Sequence, residues 1–163
     1  MVSKRLSREA GHRRKFLVII DDTPECERAA AYAAQRMKNT NGVLVLLYVI
    51  EPEDFQHWLG VEKIMRDEAN ANARTVLDGY ATRIRERFGI EPELVVREGK
   101  PVEELHKIIE EDQDIAILVL AASAGKEGPG PLVAAVVGKA AAFPIPVTVV
   151  PQNLTDEEIE SLA

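Results

Sequence analysis

Two acidic residues and a hydroxyl follow directly on the first apolar stretch of the sequence. Residues 16–20 (FLVII) are all apolar, and Asp21, Asp22 and Thr23 come next. Carboxylates at the end of a buried strand can hold a ribose, a base or a metal ion, because their oxygens accept hydrogen bonds and carry charge. The alternative is helix capping, in which Asp22 or Thr23 caps a helix with Pro24 in its first turn. Capping explains Asp22 fully and Asp21 less well.

A second group of residues suited to binding follows a longer apolar stretch. Residues 115–122 (IAILVLAA) are wholly apolar, and the segment 125–130 (GKEGPG) follows closely. Glycines such as Gly125 and Gly128 can adopt backbone angles that turn several amides toward one phosphate, and Lys126 would add positive charge. The alternative is a tight turn that closes the pocket. Prolines in and after this loop remove amide donors, which favours the turn.

Alternating strand and helix patterns position these two groups. The predicted strands are 16–20, 43–50, 94–97, 115–122 and 147–150. Helical spacing predicts helices over 26–37, 61–88, 101–109 and 132–142, the last interrupted by Gly138. A capping box at 155–158 predicts a short acidic helix at the C-terminus. Such alternation is typical of an α/β fold with a doubly wound five-stranded parallel sheet. Ligands of these folds bind beyond the carboxyl ends of the strands, where Asp21 and the glycine loop fall.

Length and overall charge limit the classes of function. The 163 residues suit one domain, and the net charge of −7 argues against nucleic acid as the main partner. No apolar run approaches the roughly 20 residues that span a bilayer, and no apolar segment follows the basic N-terminus as in a secretory signal. Cys26 is the only cysteine, which excludes an intramolecular disulfide. We therefore expect a cytoplasmic protein without membrane or nucleic acid partners.

The charge is unevenly distributed along the chain. Residues 1–15 contain six basic residues and one acidic residue, so the remainder carries a net charge of −12. A basic arm can contact acidic surfaces or nucleic acid, but chain termini commonly fray, which favours a disordered tail. The predicted organisation is a flexible basic arm at 1–14, one domain at 15–151, and a C-terminal acidic helix at 152–163.

Two further segments suggest contacts with a ligand or a partner. The loop Phe55–Trp58 contains His57, and it either covers a ligand as a lid or, as we favour, packs the start of the long helix. The last predicted strand, Val147–Val150, lies between two prolines, which places it at a sheet edge. Two-fold pairing of this edge with a second copy would satisfy its exposed backbone, unless the C-terminal helix shields it.

These segments together resemble the universal stress protein family. The resemblance rests on VIIDDTPECERA, VLVLLYVIEP, REGKPVEEL and FPIPVTVVP and extends over residues 16–151. It implies a Rossmann-like (adenine nucleotide alpha hydrolase-like) sheet in the order 3-2-1-4-5 and homodimers joined through the fifth strand. In one branch of the family it also implies bound ATP or AMP, with Mg²⁺ accompanying the triphosphate.

The phosphate-binding motif of that branch is degenerate in this chain. The branch carries Gly-x2-Gly-x9-Gly-Ser/Thr after the fourth strand, and its second glycine matches Gly125, whereas its first falls on Ala122. Counted forward from Gly125, the position of the motif's hydroxyl residue is Val136; aligned back from FPIPV, it is Ala134. Either way the resemblance predicts that the phosphate-binding hydroxyl is missing.

The adenosine side of the motif matches better. In the family, the aspartate at the position of Asp21 reaches the adenosine, and Thr23 and Val49 match as well. The candidate nucleotide-binding residues are therefore those three on the adenosine side and Gly125, Lys126 and Gly128 on the phosphate side.

The leading hypothesis is a dimeric stress-response module with a weak adenine-nucleotide site and at most slow ATP hydrolysis, since no activated nucleophile or general base is visible. The alternative is a family member that binds no nucleotide and acts only through protein contacts. A phosphoacceptor receiver domain is disfavoured, because it needs an aspartate and a lysine where this chain has Glu98 and Pro151.

Overall fold

The computed structural model describes residues 3–52 and 61–163. The elements, in chain order, are β1 (Lys15–Ile20), α1 (Cys26–Thr40), β2 (Val43–Ile50), α2 (Val61–Phe88), β3 (Glu93–Glu98), α3 (Pro101–Glu111), β4 (Ile115–Ala122), α4 (Pro131–Val137), β5 (Val147–Pro151) and α5 (Asp156–Leu162). The helix predicted over 132–142 is interrupted at Gly138 as expected: α4 ends at Val137, and a separate 3₁₀ turn follows at Ala140–Ala142.

The five strands form one parallel sheet in the order β3-β2-β1-β4-β5, which confirms the predicted fold class and order. β1 lies at the centre between β2 and β4, with Ile20 opposite Tyr48 of β2. The carboxyl ends of β1 and β2 therefore lie side by side, and Asp21 follows directly on one of them.

The apolar runs of β1, β2 and β4 are buried on both sheet faces, as expected for central strands of a parallel sheet. Alternate residues of β1 divide between the faces: Val18 packs in the cluster formed with α1, α2 and α5, whereas Leu17 packs in the cluster formed with α3 and α4. Both side chains are fully buried. The helices thus form two layers that separate at the carboxyl edge of the sheet.

Capping was predicted at the N-termini of two helices, and the structure has it at only one of them. α5 has the predicted capping box, in which Thr155 Oγ1 accepts a hydrogen bond from the Glu158 N–H while Glu158 Oε1 accepts one from the Thr155 N–H. The predicted cap of α1 by Asp22 or Thr23 is wrong, since the N-cap residue is Glu25 and its side chain makes no capping hydrogen bond. The helix begins beyond Pro24, and the acidic residues remain in the loop.

Residues 3–14, expected to form a flexible arm, lie against the connection between α3 and β4. The Arg5 guanidinium donates hydrogen bonds to the backbone carbonyls of Ile109, Asp112 and Ile115, and His12 Nδ1 lies 2.7 Å from Asp114 Oδ1. The division of the chain into an arm, a domain and a terminal helix stays a prediction.

The expected lid or packing segment Phe55–Trp58 lies outside the described residues. Across the ranges 3–52 and 61–163, the structure contains no helix of the length and apolarity needed to cross a bilayer.

Candidate functional site

A cleft of about 580 Å³ opens at the carboxyl edge of the sheet, above β1 and β2. Its volume falls within the range of small-molecule sites. The lining residues come from two strand ends and three helices: Ile19, Ile20, Asp21, Asp22, Tyr48, Val49, Ile50, Glu51, Ala69, Asn72, Pro101, Val102, Pro131, Leu132 and Ala135.

The topology explains the position of this cleft. β1 continues into α1 on one face of the sheet, whereas α3 and α4 cover the other face, so the helix layers diverge beyond the strand ends. The start of α3 is held against β2 by the Gly99 N–H, which donates to the Ile50 carbonyl at 2.9 Å. A Cβ at Gly99 would lie 2.6 Å from Glu104 Oε2, so a larger residue at this position would displace the buried Glu104 side chain.

Asp21 presents a hydrogen-bond acceptor to the cleft. Its Oδ1 accepts hydrogen bonds from the backbone N–H of Thr23 at 2.9 Å and from the Thr23 hydroxyl. Within the described residues, Oδ2 receives no hydrogen bond. The Thr23 contacts fix the orientation of the carboxylate, and the second oxygen can accept a hydrogen bond from a ligand hydroxyl.

The cleft combines apolar walls with negative charge. Val49, Val102 and Leu132 contribute aliphatic surface, and three carboxylate side chains, those of Asp21, Asp22 and Glu51, lie along the lining. Among the lining residues in the described part of the chain, none is lysine, arginine or histidine. The cleft therefore suits a ligand with an apolar ring and hydroxyl donors, and it offers no side-chain cation to an anionic group.

A second, much smaller cavity of about 50 Å³ shares Asp21 with the cleft and extends toward the loop before α4. Thr23 and Glu25 line one side of this cavity, and Gly130 lines the other. Glu25 is only 8% exposed, and a Cβ built at Gly130 would lie 3.7 Å from its Oε1. The buried carboxylate of Glu25 thus lies next to the loop that the sequence analysis weighed as a phosphate cradle or a tight turn.

The glycine loop uses its own amides in a tight turn. The N–H of Gly125 donates to Ser123 Oγ at 3.1 Å, and the N–H of Gly128 donates to the Gly125 carbonyl at 3.4 Å. The Ser123 N–H donates in turn to the Pro129 carbonyl at 3.0 Å. Gly128 has φ +100°, a backbone conformation that other residues rarely adopt, so glycine is required here by the turn itself.

The structure brings together part of the predicted site. Asp21 and Val49 line the cleft, and Thr23 lines the adjoining small cavity. Gly125, Lys126 and Gly128 line neither cavity. Their role in binding a nucleotide stays a prediction.

Sequence reasoning missed the residues that helices bring to the cleft. Asn72 lies one turn beyond Ala69 on α2, and its amide at the rim could have been found only by knowing which side of that long helix faces the strand ends. Glu25 was also missed, since no local pattern distinguishes this buried carboxylate from the more exposed Glu27 beside it.

The single cysteine lies beneath this region and is buried, as the sequence predicted for a core residue. Its sulfur is 2.9 Å from the Tyr80 hydroxyl. Burial raises the pKa of the Cys26 thiol, and the hydrogen bond with Tyr80 offsets only part of that increase. The thiol therefore has little thiolate character near neutral pH.

In the described ranges, no three or more His, Cys, Asp or Glu side chains are grouped in a way that could hold a metal ion. The three carboxylates of the cleft therefore do not converge on one point.

Comparison with known proteins shows what this architecture is similar to. The profile of the universal stress protein family matches residues 12–151. Among curated proteins, none matches the sequence.

Several solved structures share the fold at low sequence identity. Universal stress protein UspA from Lactobacillus plantarum is 17% identical with a TM-score of 0.69, and the match covers 84% of this chain and 97% of that one. A universal stress protein family protein from Arabidopsis thaliana with AMP bound is 21% identical with a TM-score of 0.60, covering 88% and 94%. The universal stress protein from Archaeoglobus fulgidus in complex with dAMP is 21% identical with a TM-score of 0.59, covering 84% and 97%.

Proposed function

Because the chain belongs to the universal stress protein family, we propose that it is a binding module that takes the adenosine part of an adenine nucleotide into the cleft above β1 and β2. The observation that carries this proposal is the pairing of a 580 Å³ cleft with the oriented carboxylate of Asp21 at its floor. Two proteins of the same fold are known with AMP or dAMP bound, which supports the choice of ligand.

The residues that line the cleft offer suitable groups to both the ribose and the base of adenosine. Asp21 Oδ2 can accept a hydrogen bond from a ribose hydroxyl, while Val49 and Val102 offer apolar surface to a purine ring. The side-chain amide of Asn72 at the rim has both a donor and an acceptor for the edge of the base. Such a mixture of apolar walls and a few polar groups is typical of sites for small molecules.

The phosphate part of ATP or AMP fits this chain less well. The amides of Gly125 and Gly128 already donate within their loop, and the Lys126 side chain is exposed outside both cavities. A triphosphate beside three carboxylates would need Mg²⁺ to offset its charge. We therefore propose a weak site, with ATP hydrolysis slow at most.

We also propose that the protein forms a homodimer through β5. Within the described residues, β5 pairs with β4 alone, and Val149 remains 38% exposed. α5 packs on α1 instead of covering this edge: Ile159 is buried in that cluster, and Arg28 of α1 donates to Asp156 Oδ1. An unshielded edge strand is stabilised by pairing with a second copy about a two-fold axis.

The second candidate is a module that acts only through protein contacts. The absence of side-chain cations from the described lining of the cleft favours it. The proposal places either form of the protein in the cytoplasm, where a reduced, buried thiol such as that of Cys26 is ordinary.

The test compares two tryptophan variants on one helix. Ala135 and Ala134 are both exposed on α4, but only Ala135 lines the cleft. Calorimetric titration with adenosine and with AMP should show binding that Ala135→Trp weakens at least about tenfold and Ala134→Trp leaves unchanged. The absence of binding by either ligand up to millimolar concentration would reject the nucleotide proposal and leave the protein-contact candidate.

A further inference from the structure

Within the described residues, the charged side chains that line the cleft and the small cavity beside it are all carboxylates. Asp22 and Glu51 line the cleft, Glu25 lines the small cavity, and Asp21 lines both. Of the residues that line the two cavities in ranges 3–52 and 61–163, none carries a positive charge. A phosphate bound here would therefore meet like charges at short range in a partly desolvated site.

The backbone amides of the glycine loop are also engaged elsewhere. The loop amides of Ala124, Gly125 and Gly128 donate to Gln152 Oε1, to Ser123 Oγ and to the Gly125 carbonyl. A phosphate moved out of water needs charged or amide donors to replace its hydration, and these amides would first have to break the bonds of their turn.

Two basic side chains near these cavities are committed to ion pairs or lie outside the lining. Arg66, one turn before Ala69 on α2, lies 3.4 Å from Glu62 and 3.1 Å from Glu98 in ion pairs. Lys126 is exposed on the glycine loop and lines neither cavity.

On the basis of the proposed function, we infer that the cleft selects the uncharged nucleoside over the nucleotide, so that adenosine is bound in preference to AMP and ATP. The apolar walls and the Asp21 carboxylate serve the base and the ribose, which adenosine retains. Removal of the phosphate eliminates the repulsion from Glu25 and its neighbours and leaves the base and the ribose in place. The reaction class that supplies such a ligand is hydrolysis of a nucleoside phosphate ester.

The first experiment is a series of calorimetric titrations of the full chain with adenosine, AMP, ATP and ATP with Mg²⁺. Each titration is done at low and at moderate salt. Adenosine should bind at least about tenfold more tightly than AMP at low salt. The difference should shrink as salt rises, because added ions screen the repulsion of the phosphate but do not act on neutral adenosine.

A matched pair of lysine variants tests the electrostatic cause. Ala135→Lys adds a cation at the rim of the cleft, and Ala134→Lys adds the same charge one residue away, outside the lining. Ala135→Lys should reduce the preference for adenosine over AMP at least about threefold more than Ala134→Lys does. Equal effects of the two lysines would contradict a local electrostatic cause.

The outcomes separate this inference from the function on which it rests. Tighter binding of adenosine than of every phosphate ester supports both. Equal or tighter binding of AMP, or of ATP with Mg²⁺, overturns the preference for the nucleoside while the nucleotide site stands. The absence of binding by all four ligands overturns the proposed function and the inference together.

Discussion

Asp21 is the residue on which the proposed ligand binding most depends. Its Oδ1 accepts hydrogen bonds from Thr23, and within the described residues its Oδ2 accepts none. Asp21→Asn keeps an oxygen that can accept from Thr23 but replaces the second acceptor with an amide donor, whereas Asp21→Ala removes both. We predict that both variants weaken adenosine binding about tenfold or more, and that only Asp21→Ala also lowers the melting temperature. Calorimetry and thermal unfolding measured together check this, and unchanged affinity in Asp21→Asn would contradict the role of Oδ2.

Cys26 gives a second prediction at this scale. Its thiol is buried against the Tyr80 hydroxyl, and burial raises its pKa, so both access and thiolate content are low. Iodoacetamide at pH 8 should alkylate the native protein at least about 100-fold more slowly than the urea-unfolded protein. Mass spectrometry over time measures both rates, and comparable rates would show that the region around Tyr80 opens readily.

How far the sequence predicts the site depends on the element that carries each residue. Asp21 follows from a strand end, because a buried apolar run has a definite last residue and the topology brings such ends together. Val49 was predicted only from the family resemblance, and it lines the cleft. Asn72 and Glu25 could not be predicted, since their positions depend on the rotation of α2 and on where α1 begins. The glycine loop illustrates the limit: composition permits both a cradle and a turn, and only the hydrogen bonds of Gly125 and Gly128 distinguish them.

At the scale of elements, α5 depends on a small charge network for its position. Asp156 at its first turn accepts hydrogen bonds from Arg28 and Arg87, at 2.8 and 2.9 Å. The hydrogen bond from Arg28, helped by the charges of both arginines, lowers the pKa of Asp156 below its usual value of 3.8. A carboxylate whose pKa is lowered by folding stabilises the folded state above its unfolded pKa, and the contribution is lost as pH falls through the lower folded value.

Asp156→Asn should therefore destabilise the protein at pH 7, by at most about 1 kcal/mol because the carboxylate is largely exposed. The difference from the wild type should narrow as pH falls from about 5 to 3. Urea unfolding across this range is the measurement, and Glu160→Gln, a neutralisation at another exposed position of α5, is the control. If the difference in unfolding free energy between Asp156→Asn and the wild type stays constant with pH, the charge of Asp156 does not contribute to stability.

The elements themselves were the most predictable level of structure. Strands β2 and β4 have the bounds that their apolar runs predicted, because eight apolar residues in a row leave few alternatives to a central strand. The helix predicted over 132–142 with an interruption at Gly138 is divided there into α4 and a 3₁₀ turn. Gly138 ends the helix there, and a Cβ at that position would lie 2.7 Å from the Ala134 carbonyl oxygen.

At the scale of the whole molecule, the oligomeric state is predicted from β5, which within the described residues pairs on one side only, with β4. Val149 is 38% exposed on this edge. Val149→Glu would place two negative charges opposite each other across the two-fold axis, where they would repel. We predict a dimeric mass for the wild type by light scattering at micromolar concentration and a monomeric mass for this variant. Ile64→Glu, at a position 59% exposed on α2, should stay dimeric. A monomeric wild type would contradict pairing through β5.

The central claim is that the ligand lies at the carboxyl ends of β1 and β2 and not in the glycine loop. The most direct measurement is the set of backbone amide chemical-shift changes in ¹⁵N-labelled protein when adenosine or AMP is added. The account predicts saturable changes at Asp21, Val49, Asn72 and Val102, with little change at Gly125 and Gly128. Changes confined to the glycine loop, or no saturable change with either ligand, would contradict it.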